Sequence, residues 1–179
     1  EVPGVGADMN YVDLEEAIAI AFENSLKLES SRLSLREAEL SLEQAEANAL
    51  INPSPTELLQ ARRNVDIARQ QLLLDRFDVK LEVEESYYGV LRAQQLTEIT
   101  REALEIARRQ LEIATDRYNN GEATQADVLS ARSQVASSEA NLAQAEGGYG
   151  LALLNFRRAL GLPYDAAIAP VEIPLEVAP

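Results

Sequence analysis

Residues 55–119 carry apolar and small side chains in alternating steps of three and four. This run of residues is far longer than an ordinary globular helix. This spacing places the side chains on one helix face and is the seam pattern of a coiled coil. At ~1.5 Å per residue, the predicted helix is on the order of 95 Å long. The seam, with one stutter near Arg76, comprises Leu58, Ala61, Val65, Ala68, Leu72, Arg76, Val79, Val83, Ser86, Val90, Ala93, Thr97, Thr100, Leu104, Ala107, Leu111, Ala114 and Tyr118.

A second apolar stripe follows a neighbouring face of the same predicted helix. Its members are Leu74, Phe77, Leu81, Tyr88, Leu91, Ile99, Ala103, Ile106 and Ile113. Two stripes on one helix require neighbours on two sides, because each apolar face is stable only when it is covered. The pattern therefore favours a sheet of helices or a tube over an isolated helix pair. With abundant Ala and Leu and few aromatic residues, a thick central core is not expected.

A short segment, residues 118–124, has the composition of a hairpin tip between two helices. Gly121 supplies the residue that adopts a positive φ at a helix C-terminus. Thr124, followed three residues later by Asp127, resembles a capping box at the start of the next helix. The two flanking helices are therefore predicted to leave the tip side by side and antiparallel.

Caps and breakers set the other helix limits. Ser54-Pro55-Thr56-Glu57 is a helix start, and Gly161 followed by Pro163 is a helix stop. Asn24 and Ser25 mark a break or kink in the first helix. The predicted order is an extended N-terminal arm at 1–12, a helical repeat at 13–162 and an extended C-terminal tail at 163–179. Within the repeat, helices are predicted over about 13–52, 55–119 and 124–160. The tail is suited to pairing with the arm.

The first and third predicted helices carry seams of the same spacing. The first seam is Leu28, Ser31, Leu35, Ala38, Leu42, Ala45 and Ala49. The third is Val128, Ala131, Val135, Ser138, Leu142, Ala145, Tyr149, Ala152, Phe156 and Ala159. The predicted fold is all-α, a long antiparallel coiled-coil hairpin with an additional N-terminal helix packed alongside, extended termini and no β-barrel.

The net charge of −14 argues against nucleic acid and anionic lipid as partners. The 16 Lys and Arg residues are scattered among 30 Asp and Glu, whereas phosphate contacts need basic clusters. No apolar run reaches the roughly 18 residues of a transmembrane helix. The chain begins at Glu1 without a signal-peptide pattern, which indicates a processed or trimmed end.

No catalytic constellation is present in the sequence. Without His or Cys, a Ser-His triad, thiol chemistry and the common zinc sites are excluded. The adjacent Glu84 and Glu85 suit a solvated helix face better than an acid–base pair, because catalysis needs convergent groups with perturbed pKa values. Tyr87 and Tyr88 suit packing between helices better than a ligand site. The sequence therefore predicts a protein that is not an enzyme and binds no metal or cofactor.

The chain resembles one repeat of the TolC-like outer-membrane efflux family over roughly residues 13–163. The residues that carry the resemblance are Leu14-Glu15-Glu16-Ala17-Ile18-Ala19-Ile20-Ala21, Tyr87-Tyr88 with Leu91, Arg117-Tyr118-x-x-Gly121-x-Ala123-Thr124-x-x-Asp127-Val128-Leu129-x-Ala131, and Leu160-Gly161-Leu162. The resemblance implies a non-catalytic duct component of a tripartite efflux or type I export system. It also implies a cell-envelope, periplasmic location associated with the outer membrane.

By the same resemblance, the partners are a membrane fusion (adaptor) protein and, through it, an inner-membrane pump. Family members are trimers of two-repeat chains, whereas this chain holds one repeat, so a closed duct would need a hexamer. Family members also insert membrane β-strands between the first two helices, where this chain has only Asn52-Pro53-Ser54-Pro55. The chain is then either a homologue without those strands or a trimmed form.

The resemblance assigns adaptor docking to the tip residues Tyr118, Asn119, Asn120, Gly121, Glu122, Ala123 and Thr124. From the residues alone, a well-made turn explains Gly121 and Thr124 equally well. Asp127 resembles the family's acidic residue in the charged links that close the tip, with Arg117 as its candidate ionic partner. The alternative for Asp127 is a helix-start carboxylate that favours the helix dipole by ~0.3–1 kcal/mol.

Two other functions remain open at the level of sequence. One is a coiled-coil scaffold or interaction module of the cell envelope that forms no pore. The other is an adaptor protein, which is weaker because the flanking β-rich domains of adaptors are missing here.

Overall fold

The structure, a computed structural model, describes residues 9–52 and 54–171. Part of the predicted arm (1–8), Pro53 and part of the predicted tail (172–179) lie outside the described residues. The elements in chain order are β1 Asn10–Val12, α1 Leu14–Asn24, α2 Leu26–Ala49, α3 Pro55–Asn119, α4 Gln125–Ala159 and β2 Ile168–Pro170. Four helices account for most of these residues, which confirms the all-α class. The two short strands pair with each other, and the Asn10 N–H donates to the Ala167 carbonyl at 2.8 Å.

The chain divides into two compact units. The N-terminal unit contains Val12–Glu85 and Arg157–Tyr164, and therefore α1, α2 and the first part of α3. Of the described residues, the tip unit contains 9–11, Ser86–Phe156 and 165–171. It holds the second part of α3, most of α4 and the turn between them.

The helix predicted over 13–52 is two helices. Ser25 separates them with an extended backbone (ψ 110°) and accepts the Leu28 N–H at 3.3 Å through its hydroxyl, so it caps α2. Serine competes for nearby backbone groups in this way and favours a helix start over a helix interior. The break that Asn24 and Ser25 signalled is therefore complete. Upstream, Asp13 caps α1 in a full capping box with Glu16.

In the N-terminal unit, α2 packs against the first part of α3. Arg62 pairs with Glu46 at 3.7 Å, and Lys27 pairs with Asp78 at 2.7 Å. Partner numbers fall along α2 as they rise along α3, which is the contact pattern of antiparallel helices. The predicted α2 seam faces inward, with Leu28 and Ala45 buried and the other members half-buried.

A carboxylate lies in the buried seam of α3, at Asp75. It is 4% exposed, accepts hydrogen bonds from Ser31 and from Gln71 at 3.1 Å, and pairs with Lys27 at 3.2 Å. The Ser31 hydroxyl, followed by the Lys27 ammonium and the Gln71 amide, holds the pKa of Asp75 below its usual range against the opposing effect of burial. The predicted seam placed Arg76 here, and this was wrong, because Arg76 is exposed.

The end of α4 is fixed against α1 within the N-terminal unit. Gly161 has φ 68° and donates to the Arg158 carbonyl, while Leu162 donates to the Arg157 carbonyl, each at 3.0 Å. This is a Schellman ending, which requires the left-handed conformation that glycine adopts without strain. A Cβ at this position would lie 2.9 Å from the Cβ of Asn24, so α1 leaves no room for a side chain here.

In the tip unit, the second part of α3 packs against α4. Arg101 pairs with Glu146 at 3.6 Å and Arg108 with Glu139 at 3.3 Å, again in antiparallel order. The apolar contact includes Leu104 of α3, which is 4% exposed. Every member of the predicted α4 seam is buried or half-buried.

Aromatic residues close this unit at its strand end. Tyr87 and Phe156 are 1% and 0% exposed, and their rings meet edge to face with centroids 5.9 Å apart. The Tyr87 hydroxyl donates to the Val171 carbonyl at 3.2 Å. Tyr87 is therefore a packing residue, as predicted, whereas Tyr88 is 47% exposed, although its ring meets that of Tyr87 edge to face with centroids 5.7 Å apart.

The second apolar stripe of α3 faces solvent in the single chain. Of its members, Leu74, Phe77, Leu81, Tyr88, Ile99, Ala103, Ile106 and Ile113 are exposed, and Leu91 is half-buried. Ile106 is next to buried Ala107 and Ala103 is next to buried Leu104, so at about 100° per residue these stripe members project from a face beside the contact with α4. The stripe was predicted on a face neighbouring the seam, and within the single chain that face is uncovered.

Candidate functional site: the hairpin tip

The tip begins where α3 ends, at Asn119. Gly121 has φ 78°, its N–H donates to the Tyr118 carbonyl at 3.0 Å, and the Glu122 N–H donates to the Arg117 carbonyl at 2.7 Å. These two hydrogen bonds form a Schellman motif, which satisfies the carbonyls that the last helical turn leaves without partners. The chain thus reverses within a few residues.

The next helix starts at a reciprocal cap between Thr124 and Asp127. The Thr124 N–H and hydroxyl each donate to one Asp127 carboxylate oxygen at 2.7 Å. In return the Thr124 hydroxyl accepts the Asp127 N–H at 3.3 Å. Asp127 therefore takes the place that Glu or Gln fills in the common capping box.

The carboxylate of Asp127 is held in its charged form mainly by Thr124. Hydrogen bonds from the Thr124 backbone and then from its hydroxyl lower the pKa of Asp127, and the charge of Arg117 adds the smallest contribution in the same direction. Asp127 thus serves as a helix-start carboxylate within the chain. The ionic link between Asp127 and Arg117 at a closed tip stays a prediction.

The structure brings all the predicted docking residues together on one turn. The side chains of Tyr118, Asn119, Asn120 and Glu122 are exposed, with Tyr118 at 45%. Gly121 and Thr124 are also exposed, and Ala123 is half-buried. Because main-chain groups and the Thr124–Asp127 pair close the turn, the exposed polar and aromatic side chains are not needed to hold its shape.

One exposed side chain beside the tip was missed from sequence. Leu129 is 67% exposed, next to Val128, which is buried in the α4 seam. The sequence did indicate this exposure, because adjacent residues in a helix point about 100° apart. With Val128 in the seam, Leu129 cannot lie in the same contact.

Replacing Thr124 with alanine is expected to lower the free energy of unfolding by about 0.5–2 kcal/mol, because the cap is lost. The same change removes the hydroxyl that donates to Asp127, so the pKa of Asp127 should rise toward its ordinary value. Urea unfolding and an NMR titration of the Asp127 carboxyl would measure the two effects. Ser130→Ala, at an exposed position inside α4, is the control and should change neither quantity appreciably.

Acid should weaken the cap. The folded-state pKa of Asp127 is lowered, so its contribution to stability is present above the unfolded value, near 3.9, and is lost as the pH falls through the folded value. If the unfolding free energy of the Thr124→Ala variant fell with acid as much as that of the original chain, the assignment of this acid dependence to the Thr124–Asp127 cap would be contradicted.

Among the described residues, no helix has the length and apolar character needed to cross a bilayer. No cluster of three or more Asp or Glu side chains within the same part of the chain is arranged to hold a metal ion.

Comparison with known proteins gives the family. The family model described as outer membrane efflux protein matches residues 55–162, which is more than half of the chain and includes α3, the tip and α4. No match was found among curated proteins. The paired helices, the glycine turn and the capped restart of α4 all lie inside the matched segment. The chain therefore belongs to the outer membrane efflux protein family.

Proposed function

We propose that this protein is a non-catalytic helical duct component of a tripartite efflux or type I export assembly of the cell envelope. Its family is one of non-enzymatic channel proteins that normally oligomerise and work with adaptor proteins. In this proposal the tip, Tyr118 to Thr124, docks the hairpin of a membrane fusion (adaptor) protein, which in turn contacts an inner-membrane pump. The working location is periplasmic, in association with the outer membrane.

The docking proposal rests on one observation: the groups that shape the turn are different from the side chains that the turn leaves exposed. The shape of the turn depends on the main-chain hydrogen bonds at Gly121 and Glu122 and on the Thr124–Asp127 cap. The side chains of Tyr118, Asn119 and Glu122 are exposed. A rigid turn with side chains left for a partner is suited to recognition, because little conformational freedom is lost on binding.

Self-association is supported by the exposed stripe of α3. Phe77 of the N-terminal unit and Ile99 of the tip unit are 66% and 63% exposed, and each unit carries further exposed members of the stripe. Exposed apolar side chains grouped on a helix face mark interaction sites in proteins. Six copies of a single repeat would supply the helices of a closed duct.

Replacing Tyr118 with serine is expected to weaken binding of the adaptor hairpin at least tenfold, because aromatic anchors carry much of the energy of such contacts. The helix content should not change, since the Tyr118 side chain is exposed and only its carbonyl closes the turn. Titration calorimetry with the adaptor's hairpin would measure the affinity. Tyr164→Ser, at a 78% exposed position away from the tip, is the matched control. Equal affinity of both variants would refute tip docking.

Light scattering over a range of concentrations should give an assembly, with a hexamer for a closed duct. Ile106→Glu should shift the mass to the monomer, because a charge in a desolvated apolar contact is costly. The control Asn141→Glu adds the same charge at an exposed position of α4 and should leave the mass unchanged. A monomer at all concentrations for the unmodified chain would instead favour a scaffold module without a pore.

A further inference from the structure

Two charged side chains are buried among the described residues, Asp75 and Arg157, which are 4% and 3% exposed. The carboxylate of Asp75 is compensated by a hydroxyl, an amide and an ammonium group. The guanidinium of Arg157 donates only from Nη1, to the Tyr164 carbonyl at 2.7 Å. Its Nε and Nη2 are shielded from solvent and meet no hydrogen-bond acceptor in the described part of the chain. Of the two buried charges, Arg157 alone is thus left without a counter-charge by these residues.

A buried ion without a counter-charge is strongly destabilising, because the charged group loses its hydration and gains no partner in exchange. Lysine can relieve such a cost by losing its proton, whereas the guanidinium of arginine stays charged in proteins. Leu160, three residues after Arg157, is 0% exposed, so this part of the chain lies in the core of the N-terminal unit. The buried position of Arg157 is therefore stable only when an acceptor meets its remaining N–H groups.

The two nitrogens without acceptors lie on one edge of the planar guanidinium group, which we call the Arg157 edge. The Nε–H bond and one Nη2–H bond point from this edge in parallel, as the two prongs of a fork. Such a fork matches two oxygens of a single carboxylate or similar oxyanion, which is the bidentate geometry that arginine favours. The chemistry of the Arg157 edge therefore specifies an anion with two oxygens side by side.

The end of α4 holds Arg157 at two points. Its main-chain carbonyl accepts the Leu162 N–H at 3.0 Å, within the Schellman ending formed at Gly161. Its side chain donates from Nη1 to the Tyr164 carbonyl, which lies in the same unit. A bidentate site needs donors that are fixed in direction before the anion arrives, because little freedom is then lost on binding. These two attachments orient the Arg157 edge in that way.

We propose that the Arg157 edge is a binding site for a small oxyanion, with a carboxylate of the size of formate as the matching ligand. The anion accepts one hydrogen bond from Nε and one from Nη2, and it neutralises the guanidinium. Because both nitrogens are shielded from solvent, the anion enters when the end of α4 opens. The site lies at the end of α4 opposite to the tip turn in sequence, and it does not depend on the proposed role in efflux.

The first test observes the Arg157 edge in the unmodified chain by NMR, with sodium formate as the probe. The Nε–H signal of Arg157 is assigned through its own side-chain carbons, so no variant is needed. Added formate should shift this signal or replace it with a second one, and the change should saturate with concentration. The Nε–H signal of exposed Arg158 is the internal control and should not show a saturating change. An Arg157 signal that does not respond to formate would overturn the proposal.

The second test follows thermal unfolding in formate and in chloride at equal ionic strength. A ligand that binds only the folded chain raises the unfolding midpoint as its concentration increases. The midpoint of the unmodified chain should rise more with formate than with chloride, because chloride has no pair of oxygens to match the fork.

Two variants locate this effect on the chain. Arg158→Met, the matched control at the exposed neighbouring position, should keep the rise with formate. Arg157→Met should lose that rise, whatever the loss of the bond to the Tyr164 carbonyl does to its midpoint at every concentration. A rise that Arg157→Met retains would overturn the site, and an equal rise in chloride would overturn its assignment to a carboxylate.

Discussion

Replacing Phe156 with alanine is expected to lower the free energy of unfolding by about 3–5 kcal/mol, in the range for large aromatic residues removed from a core. The Phe156 side chain is 0% exposed, and its ring meets Tyr87 edge to face. The loss includes the transfer of the ring to solvent, the cavity that remains, and the aromatic contact, worth about 0.5–1.5 kcal/mol. Tyr87 also holds the Val171 carbonyl, so the cavity should loosen the segment next to β2.

Urea unfolding followed by circular dichroism would measure this loss, and hydrogen exchange of residues 165–171 would report the local effect. Asn155→Ala is the matched control, because Asn155 is exposed one residue away on α4. Its free energy of unfolding should change by less than about 0.5 kcal/mol. A Phe156→Ala variant as stable as this control would show that the tip unit does not depend on the aromatic contact.

Replacing Gly161 with alanine should cost more than the same change at Gly121, although both glycines end a helix with positive φ (68° and 78°). Both variants carry the backbone strain of about 1–2 kcal/mol that L-residues meet in the left-handed region. At Gly161 the new Cβ would also lie 2.9 Å from the Asn24 Cβ and 3.0 Å from its carbonyl oxygen, whereas nothing lies within 4 Å at Gly121. Overpacking of this kind adds about 1–3 kcal/mol.

The Gly121→Ala variant is therefore the control, and the difference between the two variants measures the contact with Asn24. Thermal unfolding of both would give it directly. Equal losses would mean that α1 moves aside without cost when a side chain is added. A larger loss for Gly121→Ala would contradict the packing of α1 described here.

The turn at the tip was predictable because every interaction that shapes it is local. Gly121, Thr124 and Asp127 bond to groups at most five residues away, so their types and spacing were sufficient. The function of the exposed side chains was not predictable from the residues alone. A turn has the same backbone requirements whether or not a partner binds it, so docking was inferred from the family resemblance.

The buried carboxylate at Asp75 shows where pattern reasoning fails. A heptad count assigns seam positions to apolar residues, and it placed Arg76 in the contact. Asp75 is tolerated there because Ser31 and Lys27, 44 and 48 residues earlier, supply a hydroxyl and an ammonium group. A polar side chain at Ser31 in the predicted α2 seam was the available hint, since buried polar groups need partners.

The sequence by itself determined the helices, their inward seams and the tip turn. These follow from periodicity, caps and glycines, which act within a few residues of each other, whereas the family was inferred from a resemblance and is confirmed by the family-model match. The pairing of β1 with β2 agrees with the predicted pairing of arm and tail. Only the tertiary structure decided that Asp75 enters the seam and that the second stripe of α3 stays uncovered within the chain. Each of these depends on partners far away in sequence, or on which faces remain uncovered once the nearer helices have packed.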